Sequence, residues 1–264
     1  MIALTPIVRR LLILWAAIWV VDFLLSLWTT GLSALFWLDP AGLLRGELLR
    51  IPGLVGYTFL HAPRNLFHLL INVWMFALFA PEIERILPGK KFVVFLLQAA
   101  LAGAGATLLL AWIMPHQFAV PVVGASGLVS AVLAASAAMY PGRVLNLILI
   151  QVRLLHFFMA LVALDLLWLI ANMANQGDGA AHAVHLAGAL CGWLAVHGFQ
   201  RIEGPWSRIA EKQRRKSEQK TRASQAKDEE RMDQILAKIG REGMPSLSSE
   251  EKQFLKRQSE KKSR

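Results

Sequence analysis

The chain has 264 residues, 55% of them hydrophobic and 17% charged, with a mean hydropathy of +0.46. Soluble domains carry about a quarter charged residues, so this composition excludes a soluble globule, a disordered chain and a fibrous repeat, and points to a protein that crosses the membrane several times. The formal charge of +10 is uneven: residues 201–264 hold 18 Lys and Arg against 11 Asp and Glu, residues 1–200 only 10 against 7, so the basicity belongs to a tail and suits a cytosolic segment beside anionic lipid rather than a nucleic-acid surface.

Apolar runs long enough to span the hydrocarbon core follow one another along the chain. The first, 11–28, comes after Arg9 and Arg10 and lacks a small-residue cleavage site, so it reads as an uncleaved anchor. A long polar loop, 31–58, carries Asp39, Arg45, Glu47 and Arg50. The second span, 59–80, contains His61, His68 and Asn72; the third is 92–114. The fourth lies within 118–140 and is interrupted by Pro121 and Gly124, the stretch from Arg143 to Arg153 is interfacial, and the fifth and sixth are 154–173 and 180–199. Lys and Arg set the orientation: Arg85, Lys90, Lys91, Arg143, Arg153 and the tail fall on one side, while 115–125 and 174–179 have none. The expected architecture is an all-α polytopic bundle of six transmembrane helices over 1–200, both termini cytoplasmic, with a basic tail over 201–264. Arg45, Arg50 and Arg64 on the outer side of that arrangement need a separate explanation.

The tail is polar but patterned. Met232, Ile235, Leu236 and Ile239 recur at helical spacing, and Ser248 with Glu251 spells a capping box ahead of Phe254 and Leu255. Short helices at about 228–240 and 249–258 could pack on each other or on an unidentified partner; the alternative is a solvated basic tail with transient helix. The single cysteine, Cys191, excludes an internal disulfide.

Polar groups inside a span are costly and ask for a functional reason. Gly124-Ala125-Ser126-Gly127 breaks an apolar run at membrane depth. A helix starting near Ser126 would place unpaired N–H groups and a positive dipole end beside that hydroxyl, suited to anchoring a nucleophile and holding an oxyanion; a small-residue packing face, continued by Ala131 and Ala135, is the alternative. In His182-Ala-Val-His185-Leu-Ala-Gly188-Ala-Leu-Cys-Gly192, the GxxxG pair permits close approach of another helix, and His185 lies on nearly the same face. It could then serve as base for Ser126, or only hydrogen-bond across helices. His68 and Asn72 share a face and carry donors for an oxyanion. A metal reading of His61, His68, His182 and His185 finds no H-E-x-x-H and no acidic residue beside either pair in sequence. Asp165 could orient His185 as a third member; interhelical hydrogen bonding is the first expectation for it and for Asp22.

Together, His68-Leu-Leu-Ile-Asn72, Gly124-Ala-Ser126-Gly127 and His185-Leu-Ala-Gly188-Ala-Leu-Cys-Gly192, in this order on these spans, resemble the rhomboid family of intramembrane serine proteases across residues 1–200. The resemblance implies a serine-type endopeptidase with a Ser126–His185 dyad and an oxyanion hole of His68, Asn72 and the backbone at Ser126. Gly124, Gly127, Gly188 and Gly192 would shape the site, with no metal and no cofactor. It implies transmembrane protein substrates cleaved within the lipid bilayer; the N-terminus does not read as a transit peptide, so a bacterial inner membrane is the expected location, with a eukaryotic organelle as the alternative. Arg50 stands where the family's Trp-Arg is usual, and loop 174–179 resembles its cap. Three departures are Leu49 in place of that Trp, Ala80 in place of a frequent Gly, and Ser130 where a ring often stacks on the catalytic histidine. The alternatives are a catalytically inactive relative that binds membrane helices for trafficking or quality control, and a small transporter, which the lack of repeated halves disfavours.

Overall fold

In the computed structural model, residues 4–28, 33–147, 150–174, 179–196, 232–241, 243–251 and 253–255 are described, and the chain divides into two compact units, Met1–Phe199 and Gln200–Arg264. The first unit is built on long helices. Pro at the first helical position starts α1 (Pro6–Leu25), whose exposed N–H groups find an acceptor on another helix: the Ile7 and Val8 N–H groups donate to the Glu84 carboxylate at 2.9 Å, and the Thr5 hydroxyl donates to it as well. Glu84 lies near the end of a helix that starts only at Leu66, so this contact clamps the chain's first helix to the site-bearing one.

The loop after α1 folds into short pieces, α2 (Ser33–Phe36), α3 (Pro40–Leu44) and α4 (Gly53–Gly56), joined by 3₁₀ turns at Leu48–Arg50 and Tyr57–Phe59. Arg50 organises it, donating to the Ala34 carbonyl at 2.8 Å and pairing with Asp39 at 3.3 Å and Glu47 at 3.4 Å; Arg45 pairs with Glu47 at 2.8 Å. The charge of this loop is thus largely internal ion pairing, which accounts for Arg45 and Arg50.

Next come α5 (Leu66–Ile86), α6 (Lys90–Ile113), the short α7 (Pro115–Phe118) and α8 (Ser126–Met139). The expected second span, 59–80, is displaced: Pro63 disfavours helix before it, and Asn65 caps the helix by accepting the His68 N–H at 3.2 Å. His61 therefore precedes the helix, which continues six residues past Ala80 through Pro81. After α8, the interfacial stretch forms an antiparallel hairpin of β1 (Val144–Leu147) and β2 (Ile150–Arg153), with Val144 opposite Arg153 and Leu147 opposite Ile150. This corrects the all-α expectation to a mostly helical fold. Arg143 fastens the hairpin to α5 through Glu82 at 2.6 Å. The unit closes with α9 (Leu154–Ala174) and α10 (Gly179–Val196).

Among these, α5, α6, α9 and α10 are long and apolar enough to cross a membrane; α1 carries Arg9, Arg10 and Asp22, and α8 has only 14 residues. With four such helices, the chain is an integral membrane protein. Buried Trp15, Phe76, Phe79, Phe92 and Phe95 fill the core, and α8 lies inside it, with ten of its residues from Gly127 to Ala137 buried. By contrast only 11% of α9 is buried, so its apolar surface faces outward, to lipid. The second unit holds a helix at 232–241 and helical turns at 249–251 and 253–255, around Ile235, Leu247 and Phe254. Ser248 and Glu251 cap reciprocally, at 2.7 and 3.2 Å, and Lys238 pairs with Glu251 at 3.1 Å. Residues 197–199 of the expected sixth span, 228–231 of the first expected tail helix, and 252 and 256–258 of the second lie outside the described residues.

Candidate active site

Ser126 begins α8, and the chain leading into it is held from two sides. Leu38 and Val122 exchange backbone hydrogen bonds at 3.0 and 2.9 Å, and the Gly124 N–H donates to the Tyr57 carbonyl at 2.9 Å. The loop after α1 therefore fixes the approach to the serine. Gly124 itself sits at φ +135°, and a Cβ there would lie 2.8 Å from His68 Nε2 and 3.5 Å from Ser126 Oγ. Only glycine lets the imidazole come this close. The first intrahelical bond of α8 is Val129 N–H to the Ala125 carbonyl, so the N–H groups of the first turn point toward the serine end with no helical acceptor.

His68 occupies the first turn of α5, and Asn72, buried, donates one amide N–H back to the His68 carbonyl at 2.7 Å. That bond engages half the donor capacity expected of Asn72 for an oxyanion and leaves the second N–H of its amide. His61 is buried behind them, edge-on to His68 with ring centroids 5.3 Å apart and to Trp15 at 5.8 Å. It backs His68 and does not line the cavity described below.

The glycines of α10 do what their spacing suggests. A Cβ at Gly188 would be 2.1 Å from the Gly127 carbonyl oxygen, and one at Gly192 would be 2.0 Å from that of Ala131. The two backbones are in van der Waals contact, one face of α10 against α8, which carries His185 to the level of Ser126. Both side chains line one cavity of about 590 Å³, together with His68, Asn72, Asp165 and Ser130; its apolar walls include Met75, Leu133, Phe157, Phe158 and Leu161. Among the described residues Ser126 and His185 make no direct hydrogen bond. His185 Nδ1 bonds instead to Asp165 Oδ1 at 2.9 Å, and His182 Nδ1 bonds to the same oxygen at 2.7 Å. The His182 ring is stacked parallel to Trp168, centroids 6.3 Å apart, and lies edge-on to His185.

The acidic neighbour absent from the sequence around the histidines is thus supplied across space by α9. Asp165, His182 and His185 bring three ligand-type atoms within 4.8 Å of one another, a set of the kind that can hold a divalent ion; two hydrogen bonds to one carboxylate oxygen already account for the closeness. Sequence reading singled out Asp165 as a possible partner of His185, but not the sharing of its carboxylate with His182 or the stacking of His182 on Trp168. Of the loop expected to cap the site, residues 175–178 lie outside the described residues.

Comparison with known families gives two matches. The model of the rhomboid domain matches residues 45–201, and that of a family of unknown function (DUF6576) matches residues 216–261. No curated protein matches the chain.

Proposed function

The chain belongs to the rhomboid family, and we propose that it is an active member: an intramembrane serine endopeptidase that hydrolyses peptide bonds in or near transmembrane segments of other membrane proteins. The observation that carries the proposal is the delivery of Ser126 and His185, by a glycine-mediated crossing of α8 and α10, to one cavity shared with His68 and Asn72. A small-residue face alone would explain the crossing but not a hydroxyl, two imidazoles and an amide converging where it ends.

His185 takes the hydroxyl proton as Ser126 Oγ attacks the substrate carbonyl. The tetrahedral oxyanion is held by the unpaired N–H groups at the start of α8, by His68 and by the remaining Asn72 N–H. His185 then passes its proton to the leaving amine, and a water, deprotonated by the same imidazole, releases the acyl group and restores Ser126. The reaction draws on no cofactor. Depth follows from length: 14 residues rise about 21 Å, short of a hydrocarbon core of ~30 Å, so the first turn of α8 lies below the membrane surface. Beside their polar groups, α5 and α9 line the cavity with Ile71, Trp74, Met75, Phe157, Phe158 and Leu161, and an open groove along Phe67, Leu70, Ile71 and Trp74 continues this apolar surface along α5. A substrate helix arriving sideways through lipid meets that surface.

In this reading six helices span the membrane, α1 and α8 included, with both termini in the cytoplasm of a bacterium. One observation favours a second reading, an inactive relative that binds membrane helices: His185 is bonded to Asp165 and not to Ser126. Apo geometry of a nucleophile and its base is often looser than in the substrate complex. Cleavage of a fluorogenic transmembrane substrate in liposomes separates the two. Ser126→Ala and His185→Ala are each expected to lower the rate by at least about a thousandfold with folding retained. Undiminished turnover in Ser126→Ala, or a wild type that neither cleaves nor reacts with a fluorophosphonate, supports the inactive relative.

A further inference from the structure

We infer that Asp165 and His182 are positioning residues for His185, so that the machinery is a relay of four side chains, Ser126, His185, Asp165 and His182, and not a bare pair. The inference rests on the protease reading above. Asp165 Oδ1 accepts from Nδ1 of both histidines, at 2.9 and 2.7 Å. An ionised carboxylate has no hydrogen to give, so each Nδ1 carries the proton. That fixes neutral His185 as the Nδ1–H tautomer and leaves Nε2 as its acceptor, the form a serine hydroxyl requires of its base. When the imidazole takes the serine proton it becomes a cation beside Asp165, an attraction that exists only along the reaction path and lowers the barrier rather than tightening substrate binding.

Three further observations point the same way. Asp165 is a carboxylate on α9, a helix only 11% buried whose other faces meet lipid, where an ionisable group is expensive unless it serves a site; its side chain lines the same cavity as Ser126 and His185. The second bond, from His182, pins that carboxylate, and His182 is itself held by stacking on Trp168. Finally, position 130 of α8 lines the cavity with a serine, so no ring from there restrains His185. The Asp165–His182 pair supplies a restraint instead.

The full-length enzyme in liposomes tests this with Asp165→Asn, which keeps the size of the side chain but can offer His185 an N–H as readily as an oxygen. Expected is a drop in kcat on the order of a hundredfold, smaller than the loss for the equivalent change in a fully buried triad, with KM and melting temperature nearly unchanged and partial recovery in Asp165→Glu. A second readout needs no turnover. In Ser126→Ala protein carrying ¹⁵N-histidine, with the His185 signal assigned by its loss in His185→Asn, the Nδ1–H tautomer is expected, and adding Asp165→Asn should shift it toward Nε2–H. Wild-type kcat in Asp165→Asn, activity lost only together with folding, or an unmoved His185 tautomer overturns the positioning role and leaves the dyad standing. Cleavage by Ser126→Ala overturns both.

Discussion

Gly124 carries a double geometric demand, because two separate constraints meet there. Its φ of +135° is closed to side chains, and a Cβ would meet His68 Nε2 at 2.8 Å. Gly124→Ala is therefore expected to displace His68 from the serine, lowering kcat by about a hundredfold to a thousandfold, as loss of an oxyanion donor does, at a stability cost of about 1–3 kcal/mol for the strained backbone. Proteoliposome kinetics and a thermal melt check both numbers; wild-type kcat would mean that His68 plays no part in the oxyanion hole. At this scale Ser126, His68, Asn72 and His185 were legible because hydroxyl, amide and imidazole groups are conspicuous inside apolar runs. Asp165 was offered as a partner for His185, but the sharing of its carboxylate by both histidines was not legible. It depends on how α9 is rotated against α10, and a helix apolar on all faces carries no periodicity from which that rotation can be read.

At the scale of elements, the crossing of α8 and α10 was readable and the start of α5 was misread. Gly188 and Gly192 announced a close approach by spacing alone, and the backbone carbonyls of Gly127 and Ala131 occupy the room their missing Cβ atoms leave. Gly188→Leu is expected to force the helices apart, lowering the melting temperature by the equivalent of a few kcal/mol and abolishing cleavage, whereas Leu at Gly105, where a Cβ meets nothing within 4 Å, is expected to do neither. Hydropathy placed the second span from 59 because Phe59 and Leu60 are apolar, but Pro63 and the Asn65 cap outrank hydropathy over a single turn. The hairpin at 144–153 was missed for a related reason, since a short apolar stretch does not by periodicity distinguish strand from helix.

The loop between α1 and α5 gives a pH test at the same scale. Hydrogen bonds from Arg45 and then Arg50 hold the Glu47 carboxyl below its ordinary 4.5. The stability it contributes is complete above 4.5 and is lost as pH falls through the lowered value in the folded state. The melting temperature of wild type should accordingly approach that of Glu47→Gln as pH drops below 4.5, and stay modestly above it at neutral pH, the difference being small because the group is exposed. A gap between the two that is constant from pH 3 to 7 would remove these ion pairs from the account of how the loop is held.

For the whole molecule, orientation rests on charge, and the structure has accounted for two of its exceptions. Of the arginines that would face outward, Arg45 and Arg50 are bound into ion pairs with Asp39 and Glu47, while Arg85, Lys90 and Lys91 cluster at the turn between α5 and α6, and 115–125 has no Lys or Arg. Because loop charges near the ends of spans bias topology, the proposed orientation puts the α5–α6 turn in the cytoplasm and α7, one span later, on the opposite face. His116 on α7 and Lys90 at the start of α6 are both exposed, and Cys191 is the sole cysteine, so Cys191→Ser provides a background for reading each position separately. In intact cells a membrane-impermeant maleimide is expected to label His116→Cys, and to label Lys90→Cys only after permeabilisation. The reverse pattern would turn the protein over. With α8 starting from the α7 side, it would also move the water-accessible end of the Ser126 cavity from the outer leaflet to the cytoplasmic one, and with it the part of a substrate helix that can be cut.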